Sequence, residues 1–332
     1  MDNRTALLDL TISRIPGINA RDKIELQKKF ENESDFLSLS KNDIAGILAK
    51  PLNGRPWNMA QIKSEAERDA LMAQKLGIRS VSWRESAYPP LLRKIYDPPA
   101  IVFYRGELPN PEKPLVAVVG TRKPTSQAAG RAYALGRELG EAGFSVVSGL
   151  ALGIDAMAHR GNVEGRGRTL AVLGSSVDYV YPISNRPLAR RILESGGVIL
   201  SEYAPGTKPY KGNFPARNRI ISALARGTVI IEAPEKSGAL ITARFALDQG
   251  RDIWVDRAGL ASPRGQGAVN LVSEGAAGVI DTARDILAEW NIAYNVQSAG
   301  QVALQPATPN SAAGAGLAAS LANYLEIKLM GN

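Results

Sequence analysis

The sequence contains no cysteine and only one histidine, His159, among its 332 residues. The absence of cysteine excludes disulfides, thiolate metal sites and a cysteine nucleophile, and it suits a reducing compartment. A single histidine excludes a multi-histidine zinc site within one chain. Serine–histidine catalysis would depend on His159 alone. These shortages exclude thiol-dependent enzymes and histidine-rich metal centres.

Long hydrophobic runs are missing as well. No stretch approaches the ~18 apolar residues that a membrane-spanning helix requires. The N-terminal segment MDNRTALLDLTISRIPG has no basic region followed by an apolar stretch, so it lacks the pattern of a signal peptide. We therefore expect a cytoplasmic protein without a membrane partner.

Basic residues outnumber acidic ones, with 40 Lys and Arg against 32 Asp and Glu and a formal net charge of +8. Such a balance favours polyanionic partners, although the position of the charges decides more than their sum. The length suits about two domains of roughly 150 residues each.

Residues 1–78 predict a small α-helical domain. Ser40 is expected to cap one of its helices, with Asp43 three residues later. The turn at Ile15–Ile18, between the first two helices, resembles a helix-hairpin-helix turn, in which backbone amides hold a phosphate. Pro-Gly between helices is equally an ordinary turn, and both interpretations stay open.

Residues 79–114 predict a proline-rich connector. Within it, Ala100–Tyr104 has the pattern of an edge strand, because Pro98 and Pro99 would block pairing at its start. At the other end of the chain, residues 293–332 are rich in Ala, Gly, Gln, Ser and Pro, which predicts a flexible tail.

Residues 115–292 alternate between short, apolar, β-branched runs and segments of helix length. Seven such runs lie between Val116 and Ile280, and each is apolar on both faces. The alternation predicts a mostly parallel sheet covered by helices on both sides, which is a doubly wound, Rossmann-like α/β fold. The ligand of such a fold lies beyond the carboxyl ends of the strands.

Three predicted strands end in turns that open a helix: Gly120-Thr121-Arg122, Ser148-Gly149 and Ser237-Gly238. Free amides and the positive dipole end of a helix suit an anion, and Arg122 adds a planar cation for a phosphate. A plain strand-to-helix turn is the alternative. Because the next glycine after Gly120 is Gly130, the dinucleotide fingerprint is absent and we expect no cofactor.

The segment Pro205–Arg226 concentrates cations without any acidic residue and interleaves them with Tyr210 and Phe214. The cations are Lys208, Lys211, Arg217, Arg219 and Arg226. Cations contact the phosphates of a single strand, and an aromatic ring stacks on a base without reading sequence. We expect Phe214 in a polar loop ahead of a helix that begins near Ala216. The alternative is a solvated basic loop with Phe214 in the core.

Acidic residues beside these turns predict structural roles. Asp155 and His159 lie four residues apart on one helix, and we expect a structural pair rather than a catalytic one. Glu232 ends a strand without a second carboxylate at a useful spacing for acid–base chemistry, so a structural role is favoured there too.

Seven segments in order resemble the DprA/Smf family of DNA-processing proteins. They are VAVVGTRKPTSQAAG, VVSGLALGIDAMAH, TLAVLGSSVDYVYPISN, GGVILSEYAPGTKP, FPARNRIISALA, VIIEAPEKSGALITARFALDQGRDIW and GQGAVNLVSEGA. Together they cover roughly residues 115–285. The helical N-terminus also resembles the small SAM-like domain of that family.

The resemblance implies an extended Rossmann-like fold, a homodimer, and non-catalytic binding of single-stranded DNA. It implies a role in natural transformation or recombination, protecting incoming DNA and helping to load the RecA recombinase past single-strand-binding protein. Eleven residues would form the DNA site, with Phe214 stacking on a base. They are Gly120, Thr121, Arg122, Ser148, Gly149, Lys211, Phe214, Arg217, Asn218, Ser237 and Gly238.

Two departures from the family pattern accompany the resemblance. Arg257-Ala258-Gly259 stands where the family often has Pro-Gly, and the Ala/Gly-rich C-terminal residues replace the winged helix of many members. Two other functions remain as alternatives. A LOG-type nucleotide phosphoribohydrolase would need P-G-G-x-G-T-x-x-E, which is missing at Glu232–Ala243. A mononucleotide sensor would explain the anion turns but not the cations around Phe214.

Overall fold

A computed structural model describes residues 3–52, 57–110 and 112–292 of the chain. The predicted tail at residues 293–332 lies outside the described residues. Five helices come first, and Asn19 and Ser40 cap two of them in capping boxes with Asp22 and Asp43, which confirms the cap predicted at Ser40. The five are α1 (Asn3–Arg14), α2 (Ala20–Lys29), α3 (Glu33–Leu37), α4 (Lys41–Ile47) and α5 (Met59–Lys75).

The N-terminal helices have an apolar core of their own and also share one with the sheet. Leu8, Ile12 and Phe36 are among the fully buried residues of the first core. Leu10 of α1 and Ala66 of α5 belong instead to a cluster that includes residues of the sheet. Burial of apolar area on both sides of α1 fixes these helices against the sheet.

The rest of the described chain forms one nine-stranded sheet in the order β1-β2-β6-β5-β4-β3-β7-β8-β9. All strands from β3 to β9 pair in parallel, whereas β1 pairs with β2 and β2 pairs with β6 in antiparallel fashion. This confirms the predicted mostly parallel α/β sheet. The strands are β1 (Arg79–Ser82), β2 (Ile101–Gly106), β3 (Leu115–Val119), β4 (Ser145–Ser148), β5 (Leu170–Val172), β6 (Val198–Ser201), β7 (Gly227–Ile230), β8 (Asp252–Asp256) and β9 (Gly278–Ile280).

The strand expected at the sheet edge is not an edge strand. β2 pairs with β1 on one side and with β6 on the other. Pro98 and Pro99 precede its first paired residue, Ile101, so their missing amides interrupt no ladder bond. The edge position belongs to β1, a short and half-exposed strand that the sequence analysis did not identify.

Helices cover both faces of the sheet because β3 is apolar on both. Ala117 and Val119 point into one core, with Ile220 and Leu224 of helix α10 (Asn213–Leu224), whereas Val116 and Val118 point into the other. The covering helices are α7 (Ser126–Glu141), α8 (Ile154–Glu164), α9 (Arg186–Glu194), α10 (Asn213–Leu224), α11 (Gly238–Asp248), α13 (Gln266–Ser273) and α14 (Ala283–Glu289), with short helices α6 (Pro90–Arg93) and α12 (Arg257–Leu260) and a 3-10 turn at Ile183–Asn185.

The order of strands reverses beside β3. From β3 the chain moves outward through β4, β5 and β6, and it then returns to place β7 on the other side of β3. Crossover helices leave β3 and β7 in opposite directions there. A crevice therefore opens beyond their carboxyl ends, which is where ligands of open α/β sheets bind.

Candidate nucleic-acid interface

A cavity of about 310 Å³ occupies this crevice. Its walls come from four segments: the turn after β3, the start of α8, the first turns of α10 and the start of α11. Seven of the eleven predicted site residues line it. They are Gly120, Thr121, Arg122, Arg217, Asn218, Ser237 and Gly238.

Hydrogen bonds around Glu232 hold the turn after β3 in place. The Thr121 amide donates to the Glu232 carbonyl at 2.7 Å. The buried Glu232 carboxylate accepts from the Thr125 amide at 2.9 Å and from the Ser262 hydroxyl. Both carboxylate oxygens are therefore occupied, which supports the structural role predicted for Glu232.

The start of α11 is fixed to α10 at the opposite wall. Ser237 caps α11 and accepts from the Ala239 amide at 3.2 Å, while the Asn218 side chain donates to the Gly238 carbonyl at 3.2 Å. Exposed Lys236 lines the same cavity. The wall thus combines a helix N-terminus with an exposed cation, an arrangement that favours an anion.

Phe214 lies inside α10, not in the loop that the sequence predicted. The helix begins at Asn213, three residues before Ala216, because proline is accepted in a first helical turn and Pro215 occurs there. The half-buried ring lies against Gly174: a Cβ added to that glycine would stand 2.8 Å from Cδ1 of Phe214. Close approach to a bare glycine holds the ring in one place.

Two side chains flank the ring of Phe214. The Arg122 guanidinium carbon lies 5.7 Å from the ring centroid, and the Tyr181 ring lies 5.6 Å away at an angle of 43°. A second cavity, of about 60 Å³, is lined by these three residues and by Leu152, Gly149 and others. Arginine on an aromatic face gives a cation and a stacking surface at one point.

Arg217 is nearly buried, with 3% of its surface exposed. Its Nη1 donates to the carbonyls of Gly149, at 3.0 Å, and Val172. Burial lowers the pKa of Arg217 to about 10, opposed by the charge of Asp155, so Arg217 remains a cation at neutral pH. It lines both cavities. Arg217 therefore stabilises the turn at Gly149 and adds positive charge beneath both cavities.

The basic segment Pro205–Arg226 does not form a single surface. Arg219 donates two hydrogen bonds to the Glu202 carboxylate, at 2.8 and 2.7 Å, and its Nε donates to both the carboxylate and the carbonyl of Asp97. Arg226 stacks on Trp290 at 4.5 Å, beside the amino ends of β3 and β7. Lys208 and Lys211 are exposed on the loop before α10 and line neither cavity.

Ser148 lies beneath the site. Its side chain is fully buried and donates to the Val118 carbonyl at 2.7 Å, and it lines neither cavity. Gly149, the next residue, does reach the smaller cavity. Gly149 therefore contributes backbone to the site, while the Ser148 hydroxyl links β4 to β3.

The predicted pairing of Asp155 with His159 is wrong. Asp155 lies in the first turn of α8 and accepts from the Gly149 amide at 3.1 Å, facing Arg217. His159, one turn later, contacts the Thr169 hydroxyl at 2.7 Å through Nδ1. Burial lowers the pKa of His159 to about 3. The two side chains satisfy different neighbours, and His159 lines neither cavity.

Sequence reasoning missed Tyr181, Leu152 and Lys236. Tyr181 precedes Pro182 in the segment YVYPISN, and an aromatic residue in that segment was a usable signal. Leu152 carried none, since nothing distinguishes it from the neighbouring apolar residues. Lys236 follows a strand end at the predicted ligand edge, so its position alone could have identified it.

Across residues 3–52, 57–110 and 112–292, no three Asp, Glu or His side chains are grouped as metal ligands would be. Every helix in those ranges is too short or too polar to cross a membrane.

Comparison with known proteins places this chain in a family. The model of the DNA recombination-mediator protein A family matches residues 79–291. Protein Smf of Synechocystis is 45% identical over 193 residues, 57% of this chain and 48% of that protein. The chain thus matches about half the length of that relative.

Two solved structures share the fold. DNA processing protein A of Streptococcus pneumoniae matches with a TM-score of 0.69 and 34% identity, over 86% of this chain and 98% of that one. The Helicobacter pylori protein, described for its single-stranded DNA binding mode, matches with a TM-score of 0.57 and 30% identity, over 64% of this chain and 95% of that one. The chain belongs to the DNA recombination-mediator protein A family, the DprA/Smf proteins.

Proposed function

We propose that this protein binds single-stranded DNA without catalysis at the crevice beyond β3 and β7. The observation that carries the proposal is the contact between Arg122 and Phe214. An exposed guanidinium that lines both cavities lies over an aromatic ring that lines the smaller one. A phosphate and its base can be held together there. The single-stranded DNA binding of the H. pylori relative supports the same ligand.

Phosphates would follow the exposed cations. Arg122 and Lys236 stand on two walls of the larger cavity, and Lys211 lies on the loop that leads into α10. Arg217 adds charge from below, although its Nη1 is committed to backbone carbonyls. Gly120 and Gly238 would present backbone amides, with Asn218 holding α11 in position. The amides of Thr121 and Ser237 already donate to the carbonyls of Glu232 and Pro234, so these two residues would offer their hydroxyls instead.

The bonding of Glu232, Asp155 and His159 argues against catalysis at this site. Both Glu232 oxygens are bonded, and Asp155 is buried against Arg217 and the Gly149 amide. The buried His159 is neutral and lines neither cavity. A general base must reach the proton that it abstracts, and none of these three acidic or basic groups is free to do so.

Family membership supports a role in recombination or natural transformation. The protein would protect incoming single strands as a homodimer and help to load RecA on DNA that single-strand-binding protein covers. Binding without sequence preference suits such a role, because aromatic stacking and phosphate contacts are both tolerant of sequence.

Arg122→Ala tests the site. We expect weaker binding to labelled oligo-dT and a log–log salt slope smaller by about 0.7, the value for one lost phosphate contact on a single strand. Arg190→Ala is the matched control, since Arg190 is exposed on α9 and lines neither cavity. Fluorescence anisotropy at several salt concentrations measures both quantities.

Competitors distinguish the alternatives in the same assay. Binding that strengthens with oligonucleotide length and resists duplex and AMP supports the proposal. Weak, length-independent binding that AMP displaces would instead identify a mononucleotide site in the 310 Å³ cavity. Equal slopes for Arg122→Ala and the unmodified protein would remove Arg122 from the interface.

A further inference from the structure

The smaller cavity has mostly apolar walls and a cationic rim. Leu152, Tyr181, Pro182 and Phe214 supply apolar surface, and Arg122 and Arg217 supply charge. These features match a ligand with a flat apolar face and an anionic neighbour. A nucleotide within a strand has both.

Large apolar side chains are exposed around this cavity. Tyr181 is 46% exposed and Leu152 is 45% exposed, and Ile183, two residues after Tyr181, is 59% exposed. Single exposed apolar residues are ordinary, but a group of them at the mouth of a cavity marks a binding surface. Neither Tyr181 nor Leu152 is needed to fill the core beneath.

The two aromatic rings are splayed. Their centroids are 5.6 Å apart, but the planes meet at 43°, so the rings do not stack on each other. Phe214 is held at one edge by the close approach of Gly174. The Phe214 ring is therefore held in place, whereas the Tyr181 ring is about half exposed. Leu152 lines the same cavity as both rings.

We propose that Leu152, Tyr181, Pro182 and Phe214 form a base slot that takes one nucleobase of the bound strand. Tyr181 is a second aromatic wall beside Phe214, and Arg122 holds the adjoining phosphate at the rim. This inference rests on the proposed single-stranded DNA binding.

An abasic oligomer separates base contacts from phosphate contacts. The assay compares oligo-dT with a sugar–phosphate oligomer of equal length that carries no bases. One stacked base is equivalent to about 5- to 150-fold in affinity. For Tyr181→Ala we expect a loss of about 5-fold or more on oligo-dT and less than about 2-fold on the abasic oligomer.

Control variants keep the test independent of folding. Tyr181→Phe retains the ring and should bind like the unmodified protein. Tyr96→Ala removes another exposed tyrosine, 77% exposed against 46% for Tyr181, that lines neither cavity, and it should change neither affinity. Leu152→Ala should repeat the pattern of Tyr181→Ala more weakly.

The outcomes separate the slot from the function. Full affinity of Tyr181→Ala for oligo-dT, or equal losses on both oligomers, would overturn the slot while DNA binding stands. Failure of the unmodified protein to bind oligo-dT at all would overturn the proposed function and the slot with it. A selective loss on oligo-dT, restored in Tyr181→Phe, supports the slot.

Discussion

At the scale of single residues, burial decides which charged groups can act. Arg122 is exposed and Arg217 is almost buried, although both were predicted from similar motif positions. The sequence places Arg122 at the carboxyl edge of the sheet through its strand-end turn, and Arg217 in the same site only through the family resemblance. It does not show that the carbonyls of Gly149 and Val172 occupy Arg217, because that requires the packing of α10 on β4 and β5.

His159 predicts a dependence of stability on pH. An unfolded histidine takes up a proton below its ordinary pKa of 6.5, whereas buried His159 stays neutral until about pH 3. Within that window the unfolded state binds more protons, so stability falls as the pH falls. The His159 contribution changes by about 1.4 kcal/mol per pH unit, the equivalent of one unit of pKa.

His159→Asn should remove this contribution. Urea unfolding at pH 7, 6 and 5 should show the unmodified protein losing stability faster than the variant as the pH falls. Burial raises the pKa of Asp155 and acts in the opposite direction, but Asp155 is present in both proteins and cancels in the difference. Parallel pH dependences in the two proteins would contradict the assignment.

At the scale of elements, the parallel strands were predictable and their neighbours were not. Strands from β3 to β9 coincide with the seven short apolar runs, between Val116 and Ile280, that the sequence predicts as strands. β1 has the sequence RSVS, half exposed and without alternation long enough to recognise. The start of α10 was missed because Pro215 suggested a boundary, whereas proline in a first turn leaves the helix intact.

Gly174 and Gly130 predict opposite effects of the same substitution. A Cβ at Gly174 would lie 2.8 Å from Cδ1 and 3.3 Å from Cα of Phe214, so Gly174→Ala forces α10 and the ring to shift. We expect a loss of about 1–3 kcal/mol in unfolding free energy, typical of overpacking, together with weaker oligo-dT binding.

Gly130 is the matched control. It lies inside α7, and an added Cβ would have no heavy atom within 4 Å. Alanine is favoured over glycine within a helix by roughly 0.5–1 kcal/mol, so Gly130→Ala should stabilise the protein and leave DNA binding unchanged. Urea midpoints that move in the same direction for both variants would disprove the proposed contact between Gly174 and Phe214.

At the scale of the whole molecule, the N-terminal helices and the sheet region share one apolar cluster. The predicted boundary at residue 78 falls one residue before β1, and the N-terminal helices do have their own apolar cluster. Leu10 and Ala66 nevertheless pack in one cluster with Phe103 and Leu150 of the sheet region. Composition indicated the helical segment, but the shared cluster depends on contacts between distant residues.

A fragment of residues 79–292 tests how far the two parts depend on each other. Every residue proposed to contact DNA lies between Gly120 and Gly238, and the H. pylori relative matches only 64% of this chain. We expect the fragment to bind oligo-dT with the same salt slope as the full chain. Its melting temperature should fall, by about 2–4 °C for each kcal/mol of lost core.

The salt slope of the fragment also decides the role of the turn at Ile15–Ile18. If backbone amides of that turn hold a phosphate, the fragment loses at least one contact and its slope falls by about 0.7. An unchanged slope with a lower melting temperature would mean that the helices stabilise the sheet and leave binding to the crevice. Loss of binding without loss of fold would place part of the DNA path on the helical region.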